Sequence, residues 1–218
     1  MQKYRAMKDY FSSEDTWRVF RIMSEFVEGF EILSQIGKAV SIFGSSRSKR
    51  DTLFYKRAEE TAYLLAKEGY AVITGGGPGI MEASNKGAKR AAGHSIGLNI
   101  QIPIEQKSNE YIDTLLDFRY FFVRKVMFVK YAKAFVIMPG GFGTLDEFFE
   151  AINLIQTRRI KRFPVVLFGR EYWQGMLGWL KDTVLKNGNI SKEDLELFKI
   201  ADTPKDVVRI IRNFYAKT

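Results

Sequence analysis

The stretch AFVIMPGGFGTLDE, residues 134–147, combines a strand, a glycine loop and a helix in one short segment. Its apolar start predicts a strand over 134–138, and the apolar periodicity after the glycines predicts a helix over 144–157. Glycines at such a turn let the backbone approach a ligand, and the free N–H groups at a helix N-terminus attract phosphate. Gly140, Gly141 and Gly143 are therefore candidate substrate-binding residues.

Two side chains at the start of this helix have two interpretations. Thr144 is predicted to cap the helix, with Glu147 completing a capping box by accepting a hydrogen bond from the Thr144 backbone N–H. Alternatively, Glu147 acts on a ligand, because a carboxylate beside a phosphate-binding loop stands near the part of the ligand that reacts. The residues alone leave both interpretations open.

A second glycine loop, TGGGPGIME at residues 74–82, also follows a predicted strand and opens a predicted helix. It matches neither the dinucleotide fingerprint G-x-G-x-x-G nor the Walker loop. A tight turn explains one such loop as well as a ligand does, but two on one sheet favour an anion site. Gly76, Gly77 and Gly79 are candidates for that site.

The first predicted strand ends in a third loop, FGSSR at residues 43–47. Gly44 and Ser45 become candidates only if this strand is a neighbour of the other two, since an ordinary serine and glycine turn explains the loop equally well.

Strands and helices alternate through the rest of the chain. Strands are predicted over 39–43, 70–74, 95–99, 134–138 and 164–168, and helices over 54–67, 80–92, 121–131, 144–157, 172–186 and 204–215. This alternation predicts a Rossmann-like, doubly wound parallel sheet with helices on both faces. Ligands of such sheets bind beyond the carboxyl ends of the strands, where the three loops lie.

An amphipathic helix is predicted before the first strand, because apolar residues recur every three or four positions after Ser13. We therefore expect residues 1–37 to form a helical extension packed on a single Rossmann-like domain, residues 38–218.

The pair Arg124-Lys125 interrupts the apolar run 121–129. A charge in such a run needs a carboxylate or an anionic ligand. One interpretation pairs Arg124 with a carboxylate such as Glu147, merely tying two helices together, while Lys125 reaches water. The functional interpretation keeps the pair and lets Arg124 also reach a substrate.

Composition excludes several classes of chemistry. The 218 residues contain no cysteine, which excludes thiol nucleophiles and thiolate metal sites. They contain one histidine, His94, so we expect neither a histidine-based triad nor a metal site. The net charge of +9 favours anionic partners, either phosphate on a small substrate or nucleic acid. No apolar run suits a membrane span, and we expect a cytoplasmic protein.

The motifs GGGPGIME (75–82), Arg124-Lys125 and PGGFGTLDE (139–147) resemble, in this order, those of the LONELY GUY (LOG) family. Members are cytokinin riboside 5′-monophosphate phosphoribohydrolases, and older descriptions call them lysine decarboxylases. The resemblance covers roughly residues 38–215. The helix before the first strand resembles the longer, type II members.

The resemblance implies that Arg124 and Glu147 are catalytic. It implies binding of the phosphoribosyl part by Lys125, Gly141, Gly143 and Thr144, binding of the sugar or base by Glu105, and a lesser role for Glu82. Asn153 stands where plant members have threonine, and Phe121 where the family has methionine, so both bear on base preference.

The resemblance implies that residues 38–218 form a nucleotide-binding catalytic domain. The reaction it implies is hydrolysis of a nucleoside 5′-monophosphate, AMP or a cytokinin riboside 5′-monophosphate, to free base and ribose 5-phosphate. No cofactor is expected, and the resemblance implies a homodimer or larger homo-oligomer. The alternatives are a non-catalytic carrier of a nucleotide or pterin-type cofactor and, without a supporting motif, a nucleic-acid-binding protein.

Overall fold

The computed structural model describes residues 13–101 and 107–216. Seven strands form one parallel sheet in the order β4-β3-β2-β1-β5-β6-β7. The strands are β1 (Ala39–Phe43), β2 (Ala71–Thr74), β3 (Ser95–Ile100), β4 (Thr114–Phe118), β5 (Ala132–Ile137), β6 (Val165–Phe168) and β7 (Lys199–Ala201).

Seven α-helices lie within the described residues. They are α1 (Ser13–Leu33), α2 (Leu53–Lys67), α3 (Ile80–Arg90), α4 (Phe121–Tyr131), α5 (Phe142–Gln156), α6 (Arg170–Trp179) and α7 (Pro204–Tyr215). None of the helices in this part of the chain is long and apolar enough to cross a membrane.

Two apolar cores cover the two faces of the sheet. Side chains from α1, α4, α5 and α6 pack on one face, and side chains from α2, α3 and α7 pack on the other. Successive strand residues alternate between the cores, so that Phe135 and Ile137 face the first and Ala134 and Val136 the second. The predicted doubly wound sheet with helices on both faces, preceded by an N-terminal helix, is confirmed.

The strand order reverses between β1 and β5, which pair in parallel at the centre of the sheet. On one side of this point the chain runs outward through β2, β3 and β4, and on the other through β6 and β7. The loops after β1 and β5 diverge there and leave a crevice between them, which is where ligands of such sheets bind.

The sequence prediction missed two strands at the edges of the sheet. β4 alternates between buried and more exposed residues, and β7 is only three residues long, so neither has the continuous apolar run by which the other strands were identified. The helix predicted over 172–186 begins at Arg170 and, after Trp179, continues as a π-helical turn, Leu180–Leu185.

Helix α1 packs on α4. Glu25 accepts hydrogen bonds from the backbone N–H groups of Arg119 (3.0 Å) and Tyr120 (3.3 Å), immediately before α4 begins. At the other end of α4, the Tyr131 hydroxyl donates to the Phe30 carbonyl at 3.3 Å. The opposite side of α1 exposes large apolar side chains, namely Trp17, Phe20, Met23 and Val27. The division between residues 37 and 38 stays a prediction.

Two helical glycines should respond to alanine substitution with opposite signs. A Cβ atom at Gly87 of α3 would overlap the Glu59 carbonyl of α2, whereas one at Gly175 of α6 would meet nothing within 4 Å. We expect Gly87→Ala to destabilise the protein by about 1–3 kcal/mol and Gly175→Ala to stabilise it by about 0.5–1 kcal/mol, because alanine favours helix. Urea unfolding measures both, and equal effects would contradict the close contact of α2 and α3.

Candidate functional site

A cleft of about 800 Å³ opens at the carboxyl ends of β1 and β5. It is lined by residues from all three loops identified in the sequence, and by α4. Eight of the predicted site residues line it: Gly44, Ser45, Arg124, Gly140, Gly141, Gly143, Thr144 and Glu147.

The backbone of Ser45 joins the three loops. Its N–H donates to the Pro139 carbonyl at 3.0 Å, and its carbonyl accepts from the N–H of Ile80, also at 3.0 Å. Gly79 has a φ of +70°, and a Cβ atom there would overlap the Ser45 carbonyl; one at Gly140 would lie 2.9 Å from Ser45 N. Both glycines therefore permit the close approach of the loops.

Helix α5 begins earlier than the sequence predicted. The N–H groups of Thr144 and Leu145 both donate to the Gly141 carbonyl at 3.0 Å, so the helix starts at Phe142 with Gly141 as its N-cap. The prediction that Thr144 caps the helix in a box with Glu147 is therefore wrong. Thr144 lies within the first turn, and Glu147 projects into the cleft instead of back onto the cap.

Two glycines at this helix start have no packing role. A Cβ atom at Gly141 or Gly143 would meet nothing within 4 Å, and neither residue has a positive φ. The first N–H groups of α5 have no acceptor within the helix. Together these features leave room for an anion to approach the backbone closely.

Glu147 and Arg124 place a buried carboxyl group and a half-buried guanidinium in the cleft. Glu147 is 4% exposed, and its Oε2 atom, like Nε of Arg124, is buried without a hydrogen-bond partner among the described residues. The Arg124 guanidinium lies 5.2 Å from the ring centroid of Phe121 and 5.5 Å from that of Phe128. Among the described residues, no ion pair within 4.0 Å joins Arg124 to Glu147.

The surroundings shift the acidity of both groups. Burial raises the pKa of Glu147 from an ordinary 4.5 to about 7, although the positive charges of Lys125 and Arg124 oppose the rise. Burial likewise lowers the pKa of Arg124, while the negative charges of Glu147 and Asp146 act to raise it. Glu147 therefore exchanges a proton near neutral pH, whereas an arginine stays charged.

Lys125 does not line the cleft. Its Nζ atom lies 2.7 Å from both Asp146 Oδ2 and Glu150 Oε2 of α5, and the side chain is 17% exposed. Burial acts to lower the pKa of Lys125, but the hydrogen bonds to these two carboxylates outweigh it and raise the pKa. The interpretation in which Lys125 reaches water does not hold, because α5 supplies two carboxylates. Its positive charge nevertheless acts on Glu147.

Glu82 also lies away from the lining residues. Its Oε1 atom accepts from Arg50 Nε at 2.7 Å and from the Tyr55 hydroxyl at 2.8 Å, which ties the start of α2 and the segment before it to α3. Gly76, Gly77 and Gly79 are likewise not among the lining residues, whereas the neighbouring Gly75 is. Glu105 lies outside the described residues.

Several lining residues were missed by the sequence prediction. Arg47 directly follows the hydroxyl residues of the first loop, a signal that was available in the sequence. Tyr172 comes from α6, and its hydroxyl donates to the Gly140 carbonyl at 2.8 Å. No local sequence pattern predicts this contact. Of the two departures from the family pattern, Phe121 lines this cleft, whereas Asn153 lines a separate cavity of about 500 Å³.

Comparison with known proteins gives a family match and several relatives. The family model described as "Possible lysine decarboxylase" matches residues 81–211, more than half of the chain. An uncharacterized protein of Archaeoglobus fulgidus is 32% identical over 146 residues, which are 65% of this chain and 89% of that protein.

Two further relatives carry a named activity. A cytokinin riboside 5′-monophosphate phosphoribohydrolase of Arabidopsis thaliana is 25% identical over 181 residues, 82% of this chain and 79% of that protein. One of Mycobacterium tuberculosis is 26% identical over 154 residues, 70% and 82% of the two chains. The structure defines the class of protein: it is Rossmann-like, with a glycine-lined cleft at the point where the strand order reverses. This chain belongs to the LONELY GUY family.

Solved structures share the fold. The molybdenum cofactor binding protein of Rippkaea orientalis matches with a TM-score of 0.58 at 22% identity, over 82% of this chain and 96% of that one. The Moco carrier protein of Chlamydomonas reinhardtii matches with a TM-score of 0.59 at 19% identity, over 83% and 99%. At these identities the likeness extends to the fold alone.

The raised pKa of Glu147 makes the protein's stability depend on pH. The folded chain holds the proton up to about pH 7, whereas an unfolded chain releases it near 4.5, so stability falls as pH rises through this window. We expect Glu147→Gln to be more stable than the wild type at about pH 8, by about 3 kcal/mol at most, with a smaller difference at about pH 5. Urea unfolding at both pH values measures this, and parallel pH dependences of the two proteins would contradict it.

Proposed function

We propose that this protein hydrolyses the N-glycosidic bond of nucleoside 5′-monophosphates, releasing the free base and ribose 5-phosphate. The observation that carries the proposal is one cleft in which a buried carboxyl group, a half-buried arginine and an open glycine-lined helix start come together. The named activity of the relatives supports the same reaction.

The 5′-phosphate binds at the start of α5. Gly141 and Gly143 let it approach the free N–H groups, and the partial positive charge of the helix end favours it. Arg47 lines the same cleft and supplies a full positive charge. This assignment leaves the buried Glu147 for the part of the substrate that reacts.

Glu147 acts on the ribose and water. The oxygen of water forms a bond to C1′ while the bond from C1′ to the base nitrogen breaks, and the bonding electron pair leaves with the base, which takes up a proton. The Glu147 carboxylate accepts a proton from water and stabilises the positive charge that develops on the ribose. Arg124 orients Glu147 and the substrate, and its charge favours the carboxylate form.

The competing function is that of a carrier which binds a nucleotide or a pterin-type cofactor without changing it. The solved structures of molybdenum cofactor binding and carrier proteins share the fold. A carrier needs the glycine-lined phosphate site but not a buried carboxyl group whose pKa lies near neutral pH. Glu147 therefore favours the hydrolase.

Base release from nucleoside monophosphates tests the hydrolase directly. We expect the purified protein to release free base from AMP or isopentenyladenosine monophosphate, with a rate that rises with pH through about 7 as Glu147 ionises. Glu147→Gln should lower kcat by about 100-fold or more, because it removes the proton acceptor while keeping the shape. Chromatography of the products measures both rates.

Two controls accompany this assay. Arg47→Ala should raise KM for the nucleotide about tenfold and leave the activity on the nucleoside unchanged. Lys49→Ala, which removes a nearby positive charge that is not among the lining residues, should have no effect. Nucleotide binding without base release by the folded wild type would overturn the hydrolase and favour the carrier.

We further propose that the protein is a cytoplasmic homodimer or larger homo-oligomer, as the family resemblance implies. The exposed face of α1 supports the assembly, because Trp17, Phe20, Met23 and Val27 are each more than half exposed. A patch of large apolar side chains on a helix marks a contact with another protein surface.

Light scattering tests the assembly. The wild type should have a mass of two or more times 25.1 kDa, and the double variant Phe20→Glu/Val27→Glu should have a smaller one, because charges oppose burial of this face. Leu53→Glu places the same charge on exposed Leu53 of α2, on the other side of the sheet, and should not change the mass. A monomeric wild type would contradict the proposal.

A further inference from the structure

Asn109 fastens the second glycine loop, although it does not line the cleft itself. Its Nδ2 atom lies 3.0 Å from the carbonyl oxygens of both Gly76 and Gly77, and its backbone N–H donates to the Gly76 carbonyl at 2.8 Å. One side chain thus binds two consecutive peptide groups of a loop that stands more than thirty positions earlier in the chain.

A buried network extends this contact into the core. Asn85 Oδ1 accepts from Asn109 Nδ2 at 2.9 Å and from the Thr74 hydroxyl at 2.7 Å, while Asn85 Nδ2 donates to the Ser95 hydroxyl at 2.9 Å. The Thr74 hydroxyl accepts from the Gly76 N–H at 3.0 Å. Thr74, Asn85 and Ser95 are fully buried, so the network holds its members in one arrangement.

Gly75 is the residue between the two fixed points of this network. It lines the cleft, and a Cβ atom placed on it would lie 3.8 Å from Nη1 of Arg124. Its neighbour Gly76 has a φ of +75°, a left-handed conformation that the hydrogen bonds from Asn109 maintain. The loop therefore forms a wall beside the Arg124 guanidinium.

The position of the Arg124 guanidinium depends on the groups that pack against it. Its Nε atom has no hydrogen-bond partner among the described residues, and its neighbours include the rings of Phe121 and Phe128 and the Gly75 backbone. A displacement of Gly75 would let the guanidinium shift relative to Glu147. Small displacements of a group that acts in the transition state reduce rates strongly.

We propose that Asn109 is a positioning residue for the hydrolysis, acting through the Gly75–Gly77 backbone to hold Arg124 in place beside Glu147. This assignment rests on the proposed function, since it concerns the same cleft. It goes beyond the motifs of the chain, because Asn109 belongs to none of them.

Three variants separate positioning from a general loss of structure. Asn109→Ala removes the amide group. Asn109→Asp keeps its shape and the acceptor for the Tyr111 N–H but offers no donor to the Gly76 and Gly77 carbonyls. The matched control is Asn99→Ala, which removes an asparagine amide that donates at 2.8 Å to Asp117 on the neighbouring strand.

The kinetic measurement separates kcat from KM for AMP. We expect Asn109→Ala and Asn109→Asp to lower kcat by about tenfold or more with KM changed less than about twofold, because the phosphate site on α5 is untouched. Asn99→Ala should keep both constants. Equal constants in all three variants and the wild type, or a rise in KM alone, would overturn the assignment.

A second measurement does not need turnover. Carbon NMR titration of the Glu147 carboxyl should show a higher pKa in Asn109→Ala than in the wild type, because a displaced Arg124 no longer favours the charged form. In an Arg124→Ala background, Asn109→Ala should not change the pKa of Glu147 further.

An unchanged Glu147 titration in Asn109→Ala overturns the positioning role even if the protein hydrolyses AMP. A wild type without hydrolysis refutes only the proposed function. If Asn109→Ala does not fold, Asn109→Asp takes its place beside the Asn99→Ala control in the same two measurements.

Discussion

The backbone hydrogen bonds of Ser45 hold the cleft together. Through its N–H and its carbonyl, Ser45 binds the loop after β5 and the start of α3, so that three separate loops meet around one residue. The contacts are possible only because Gly79 and Gly140 have no side chains where the loops touch. A parallel sheet brings the loops to the same edge, but these hydrogen bonds set the distances between them.

The cleft also places two charged side chains where water cannot solvate them freely. Lys125 Nζ lies 2.7 Å from carboxylate oxygens of both Asp146 and Glu150, whereas no ion pair within 4.0 Å joins Arg124 to Glu147 among the described residues. Charged side chains without such a partner lower the stability of a fold and raise the reactivity of a site. This contrast between neighbouring residues on the same two helices is one reason why we propose Arg124 and Glu147 as the functional pair.

The same fold occurs in the carriers of a molybdenum cofactor and in the phosphoribohydrolase family, so the architecture alone does not decide between binding and catalysis. Both tasks need a glycine-lined site for phosphate. Only catalysis needs a group that exchanges a proton near neutral pH, and the burial of Glu147 provides one. Our proposal of hydrolysis therefore rests on the chemistry of Glu147 rather than on the sheet.

Sequence by itself determined the fold class, the loops of the site and the candidates Arg124 and Glu147, because alternating periodicities, glycine-rich turns and charges in apolar runs are local signals. It failed at the start of α5 and at the short edge strands β4 and β7, whose local patterns are weak. Only the tertiary structure decided which charges pair and which residues hold the loops, as with the carboxylates on Lys125 and the Asn109 amide on Gly76. Such contacts join common residue types that lie far apart in the chain. No local pattern predicts them, because they form only when separate elements pack together. The pKa of Glu147 is likewise set by burial, a property of the folded chain alone.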